Sequence, residues 1–203
     1  FINYPNNPTA AVAERKFYEE AVAFARKNKL LLCSDLAYSE IAFDGYKPIS
    51  VLEIPGAKEV AIEFHSLSKT YNMAGWRIGM AVGSREAIAA LSVIKTNIDS
   101  GVFKAIQLAA IEALTGPQEE IQTMNEIYRR RRDILVEGLR SLGFPATKPK
   151  ATFYVWVPIP RGLTSEKFAN LLLEKAGILV VPGSAFGKYG EGYIRISITH
   201  PQE

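Results

Sequence analysis

With 203 residues, 48% of them hydrophobic, the chain is long and apolar enough to bury a sizeable core, which excludes a disordered chain. Its 24 basic and 21 acidic residues leave a net charge of +3, far from the one-sided basicity of a nucleic-acid-binding domain. No apolar run approaches the roughly 20 residues that cross a bilayer, no secretory leader pattern is present, and the lone Cys33 sits in the apolar run 30–33 as a small buried hydrophobe, so a cytoplasmic protein is expected.

Residues 1–4 read as a short strand with no lead-in, so the sequence is expected to begin inside a domain, in a sheet that has lost neighbours. The cluster Pro5-Asn6-Asn7-Pro8-Thr9 is a turn stiffened by two prolines. Over residues 14–28 the apolar positions Phe17, Ala21, Phe24 and Ala25 recur at helical spacing, and residues 30–34 form a short apolar run. Strand, helix, strand in that order builds a parallel sheet, whose ligands bind at the carboxyl ends of the strands. Residues 60–64 and 78–82 supply two further strands. From 117 to 142 the residues Ile121, Met124, Tyr128, Leu135, Leu139 and Leu142 fall on one stripe between Pro117 and Gly143. Such a helix would span roughly 39 Å, enough to link two domains. Its Arg129–Arg132 run reads as a solvated face pairing with Glu126 or Asp133. Strands at 153–157, 178–181 and 193–198 follow, with a helix at 165–176 capped near Thr164 and stopped by Gly177. The expected fold class is α/β. Residues 1–116 would be part of a large domain with a mostly parallel sheet, and 117–203 the linking helix (117–142) with a small α+β domain.

The stretch Ser66-Leu67-Ser68-Lys69 through Gly75-Trp76-Arg77-Ile78-Gly79 lies between two predicted strands, where a parallel sheet presents its ligand-binding edge. A lysine whose surroundings lower its pKa becomes a nucleophile able to form an imine with an aldehyde. The hydroxyls of Ser66 and Ser68 and the guanidinium of Arg77 suit a phosphate dianion, and Gly75 and Gly79 permit close backbone approach. By itself this is also what an ordinary surface loop contains. Asp35 stands at the end of a strand with Tyr38 three residues on. Beside a pyridine nitrogen, such a carboxylate holds the proton that makes the ring an electron sink, with Tyr38 or the amide of Asn7 facing a ring hydroxyl. Taken alone, Asp35 reads better as a helix N-cap after the strand.

Five segments then agree in order with one family: Asn7-Pro8-Thr9, Asp35-Leu36-Ala37-Tyr38, Ser66-Leu67-Ser68-Lys69, Gly75-Trp76-Arg77-Ile78-Gly79 and Tyr193-Ile194-Arg195-Ile196-Ser197. Over essentially the whole chain the sequence resembles the class I and II aminotransferases of fold type I, which use pyridoxal 5′-phosphate. The resemblance implies that Lys69 carries the cofactor as a Schiff base and Asp35 pairs with its pyridine nitrogen. It also implies that Asn7 and Tyr38 face the ring hydroxyl, that Ser66, Arg77 and Ser68 hold the phosphate, and that Arg195 clamps the substrate α-carboxylate as a two-pronged donor. The partners it implies are an amino acid, a 2-oxo acid and a second copy of the chain in a homodimer with shared active sites.

Two segments, 63–73 and 95–103, are most similar to the LL-diaminopimelate aminotransferase branch, which implies amino transfer between LL-diaminopimelate and 2-oxoglutarate in lysine biosynthesis. Residues 95–103 would reach the partner subunit's site, or serve as a plain interdomain loop. Alternatives of the same fold are aspartate- or alanine-type aminotransferases, β-lyases, a cofactor-binding sensor without catalysis and an inactive fragment. His65 and His200 read as structural or surface residues. The chain departs from the family at Ala10, where glycine is usual, and a modest backbone adjustment is expected there. The family's N-terminal portion, which supplies much of the site, is not in this sequence.

Overall fold

In a computed structural model, which describes residues 1–200, the chain folds around two sheets. The first begins with β1 (Ile2–Asn3) and α1 (Arg15–Asn28). The predicted stripe on α1 is displaced by one position. Tyr18, Val22 and Ala25 are the buried residues, while Phe24 is 61% exposed, because the face that meets the sheet is fixed by tertiary packing and not by apolar spacing alone. Lys29 closes the helix in a left-handed conformation, its N–H directed at the Ala25 and Arg26 carbonyls. The chain then enters β2 (Leu32–Asp35), parallel to β1 with Asn3 opposite Asp35. Cys33 is half-buried there and free, not fully enclosed as its apolar run suggested.

After a short helix α2 (Ala57–Val60), β3 (Ala61–Ser66) runs parallel to β2 with Phe64 opposite Asp35. One turn of helix, α3 (Leu67–Thr70), carries the chain to β4 (Gly79–Gly83), which returns antiparallel with Gly79 opposite Ser66. The sheet order is β1-β2-β3-β4. A Cβ at Gly79 would run into the His65 carbonyl, so close approach is required there, whereas Gly75 has open space around it. The sequence reading of Gly75 as a close-approach glycine is therefore corrected. Two helices that the sequence reading passed over follow: α4 (Arg85–Ile98), with the Ser84 hydroxyl accepting from Ala87 N–H, and α5 (Lys104–Thr115). Residues 95–103 form the last turn of α4 and the connection to α5.

The long helix α6 spans Glu119–Ser141, 23 residues or roughly 34 Å. It packs on a second sheet of β5 (Tyr154–Pro158), β6 (Val181–Pro182) and β7 (Tyr193–Ser197), antiparallel throughout in the order β5-β7-β6. Helix α7 (Ser165–Ala176) has Thr164 as its N-cap and Gly177 as its left-handed stop, as the sequence indicated. Tyr38, Ile41 and Phe43, from the segment after β2, enter the core of this second sheet beside Tyr128, Val136, Phe153 and Ile194. An isolated bridge between Ala42 and Ala151 ties the two parts together.

The expectation of a solvated arginine run fails at Arg132, which is 0% exposed. Its guanidinium meets Asp44 at 2.9 Å, donates from Nε to Asp133 at 2.8 Å and from Nη1 to the Pro149 carbonyl at 2.9 Å, and lies over the Phe43 ring at 4.7 Å. Its Nη2 is also 2.8 Å from Asp133, off the axis of a hydrogen bond. Burial of a charge is tolerated because acceptors and an aromatic face replace water. Arg129 and Arg130 pair with Glu126 as foreseen. Among the described residues no helix is long and apolar enough to cross a membrane, and no acidic or His/Cys cluster is arranged to hold a metal ion.

Candidate active site

The parallel strands end on one side of the first sheet, where Asp35 and the turn carrying Lys69 stand. Asp35 is the last residue of β2 and is exposed; one carboxylate oxygen accepts from Ala37 N–H, 3.3 Å. Lys69 lies on α3, the single turn that leaves β3, where Ser66 is the N-cap and its hydroxyl accepts from Ser68 N–H, 3.2 Å. The Lys69 ammonium is half-buried, 6.0 Å from the centre of the Phe153 ring. It has no ion-pair partner among the described residues. Ser68 is buried.

Tyr38 is also buried. Its ring meets Phe153 and Tyr154 edge-on at 5.5 and 5.9 Å, and its hydroxyl lies 3.4 Å from that of Tyr154. Burial, then the hydrogen bond to Tyr154, pushes the Tyr38 phenol well above its ordinary value, so it stays a neutral O–H donor. Arg195 and Asp35 both act on it electrostatically, in opposite senses. On the second sheet Arg195 donates from Nη1 to Asn7 Oδ1 at 2.6 Å. This contact spans 188 residues of sequence and joins the turn after β1 to β7.

Phe153 and Tyr154 are what the sequence reading missed. Phe153 touches both Lys69 and Tyr38, and Tyr154 lies under Arg195 with the guanidinium 4.1 Å from its centre. Alternation in the strand pattern gave no sign of this, although two aromatics at the entry of β5 were visible. Asn7, Tyr38, Lys69 and Arg195 are thus linked through that pair or through direct interaction, while the Asp35 carboxylate, among the described residues, accepts only from the Ala37 N–H. Arg77 is not drawn in: it is exposed, left-handed at φ 54°, and donates to the Ala74 carbonyl of its own turn.

At the position where the family has glycine, Ala10 itself adopts a left-handed conformation, φ 56°. Asn3 and Asn6 hold the turn, Asn3 Oδ1 accepting from Asn7 N–H and Asn6 Oδ1 from the N–H and hydroxyl of Thr9. His65 is structural, its ring 2.9 Å from the buried Glu63 carboxylate, and His200 is exposed.

This donor set fits pyridoxal phosphate chemically. It offers an unpaired primary amine, a carboxylate with a free oxygen at a strand end, a neutral phenol, and hydroxyls at the first turn of a helix. A buried Arg195 Nε has no partner and lacks only an acceptor.

Residues 1–203 match the family described as aminotransferase class I and II. The chain is 61% identical to LL-diaminopimelate aminotransferase 2 of Trichormus variabilis and 59% identical to LL-diaminopimelate aminotransferase of Moorella thermoacetica, each over 203 residues. These matches cover 100% of this chain and 52% of each relative, so the chain spans about half the length of the curated relatives it matches. Among solved structures, apo-BacF of Bacillus subtilis superposes with a TM-score of 0.95 at 44% identity, over 100% of this chain and 54% of that one. The architecture is that of the fold type I, pyridoxal-phosphate-dependent enzymes, and the chain belongs to the class I and II aminotransferase family.

Proposed function

We propose that the protein to which this chain contributes its site moves an amino group between an amino acid and a 2-oxo acid, with LL-diaminopimelate and 2-oxoglutarate as the pair. The observation that carries the reaction class is the convergence of Lys69, Tyr38, Asn7 and Arg195 about the Phe153–Tyr154 pair, within a chain matched by the family along its whole length. The substrate choice rests on the likeness to the LL-diaminopimelate enzymes.

Bound here, pyridoxal phosphate supplies an electron sink for the pair left behind when an α-carbon loses its proton. Lys69 is the covalent attachment point and, once displaced, the amine that carries that proton from the substrate α-carbon. Asp35 keeps a proton on the ring nitrogen. Tyr38 and Asn7 donate to the ring hydroxyl, the phenol held in its neutral form by burial. Ser66 and Ser68 donate to the phosphate, and Arg77 joins them by exchanging its bond to the Ala74 carbonyl for a stronger charge-assisted one. Arg195 fixes the substrate α-carboxylate, and with it the direction of the α-C–H bond.

In the same reading, residues 1–116 are the cofactor-binding large domain and 117–203 the linking helix and small domain. The protein is a cytoplasmic homodimer, a state supported by apolar side chains such as Ile98 and Phe103 standing exposed in this chain; sedimentation of the full-length protein tests it. Full-length protein mixed with pyridoxal phosphate is expected to develop an imine absorbance that Lys69→Ala lacks, and an identical spectrum in that variant refutes the assignment. Glutamate formed from LL-diaminopimelate and 2-oxoglutarate, measured against aspartate and alanine as rival donors, tests the substrate.

A further inference from the structure

Two aromatic rings lie against the Arg195 guanidinium. The Tyr154 ring lies 4.1 Å from its carbon, and the Phe186 ring 4.7 Å from it. A planar cation flanked by aromatic faces is attracted by the negative face of each ring and loses its freedom to tilt. With Nη1 on Asn7 and Nε buried and unpartnered, the free donors lie in one plane.

The loop that carries Phe186 is built to bring it there. It consists of two 3-10 turns, Gly183–Phe186 and Lys188–Gly190. They close on each other because Gly183 and Gly190 lack side chains: a Cβ on Gly183 would meet the Gly190 carbonyl and the Trp156 ring, and one on Gly190 would meet the Gly183 carbonyl. Behind Phe186 stands Trp156, edge-on at 6.0 Å and itself stacked on Tyr193 at 5.2 Å. Trp156 is also the cross-strand neighbour of Arg195. Phe186 is 39% exposed.

We infer that Phe186 is a positioning residue that sets the plane of the Arg195 guanidinium, and through it the affinity for the carboxylate of the amino-acid substrate. The inference rests on the reading of Arg195 as the carboxylate clamp. Phe186 acts through Arg195 and touches no reacting atom, so its effect is read first in substrate binding.

The test is calorimetric titration of the full-length protein with glutarate, a dicarboxylate with no amine to react. Phe186→Leu keeps an apolar side chain but removes the aromatic face, and is expected to bind glutarate roughly fivefold to tenfold more weakly. Phe186→Tyr restores the face and should stay within about twofold of the unaltered protein. In turnover, Phe186→Leu should raise KM for the amino donor by the same factor with kcat held within about twofold. Two results overturn the inference: glutarate affinity unchanged in Phe186→Leu, or an equal loss in Phe186→Tyr, which would make the ring a structural plug only. The cofactor absorbance, recorded on the same samples, separates this from the broader reading. If Lys69→Ala and the unaltered protein have the same spectrum, the aminotransferase reading falls, while the glutarate titration still decides the role of Phe186.

Discussion

The region around α6 and the stretch from β4 through α5 are built from similar sequence and end in opposite states. Both carry apolar stripes, and both have helices started by a hydroxyl cap, Thr164 for α7 and Ser84 for α4. On α6 Tyr128, Val136 and even the charged Arg132 are buried, although Leu142 at the end of the predicted stripe is 75% exposed. On α4 and α5 the described residues include one that is buried, Ala110, while Ile98 is 76% exposed and Phe103 73% exposed. Local signals suffice to make a helix; they do not supply the surface that covers it. In a chain about half the length of its relatives, buried charge is the better mark of a finished interface, because burying a charge is costly unless acceptors replace most of its water.

That contrast is most severely tested at Arg132. Its acceptors come from three segments, with Asp44 before the first sheet's β3, Asp133 on α6 and Pro149 ahead of β5. Arg132→Ala in the full-length protein is expected to cost about 3 kcal/mol, since it empties a fully buried site and leaves the Pro149 carbonyl without its donor, while Asp133 keeps Lys148 and Arg129 and half-exposed Asp44 turns to water. Urea unfolding measures this, and a loss below about 1 kcal/mol would break the argument that the region is closed. The same logic applies to Glu63 on β3, which accepts from the Ser50 hydroxyl at 2.8 Å and Val51 N–H at 2.9 Å and pairs with His65. Glu63→Ala leaves those donors unpaired, and a loss of about 2 kcal/mol is expected in the same assay.

How much of this was legible follows from the kind of force involved. The strands, α1, α6 and α7 showed in apolar period and in caps, within a few residues of their observed bounds. The site residues showed in motifs, which carry chemical identity but not proximity: Asn7 and Arg195 are in contact across 188 positions, and nothing in their spacing says so. Arg132 was misread because a helix-face pattern cannot see the loop carrying Asp44 folding over it. Helices α4 and α5 were illegible for a related reason: among the described residues only Ala110 of the two is buried, so no covered face marks them. Phe153, Tyr154 and Phe186 are ordinary aromatics in sequence, and only their placement around Lys69 and Arg195 makes them part of the site.

Acid sensitivity sharpens the same comparison with a smaller effect. Burial pushes the Asp133 carboxyl up, but hydrogen bonds from Lys148 and Arg132 outweigh it and hold the group below its ordinary value of 3.8. A lowered carboxyl stabilises the fold above its unfolded pKa and loses that contribution as pH falls through the folded value. Stability should therefore decline below about pH 4, and Asp133→Asn should flatten that decline while lowering stability at neutral pH. Asp99, at the end of α4, is also lowered, first by its hydrogen bond from Lys95. That pair is solvent-screened, so Asp99→Asn should leave the acid limb of the unfolding curve unchanged. An equal response from the two aspartates would erase the distinction between the regions.

The smallest effect belongs to Ala10, beside the turn that carries Asn7. Its φ of 56° costs an L-residue about 1–2 kcal/mol, and glycine would remove that at an unfolded-state entropy cost of roughly 0.5–1 kcal/mol. Ala10→Gly should thus stabilise the protein by about 0.5 kcal/mol in the urea assay. The turn itself should not change. Ala10 N–H donates to the Asn6 carbonyl and Asn6 N–H to the Ala11 carbonyl, each at 2.9 Å, and Asn3 and Asn6 hold the rest through side-chain bonds. Since Asn7 reaches Arg195 from within that frame, KM for the amino donor should be the same in Ala10→Gly as in the unaltered protein. A raised KM would mean that the left-handed alanine, rather than the asparagine network, sets where Asn7 meets Arg195.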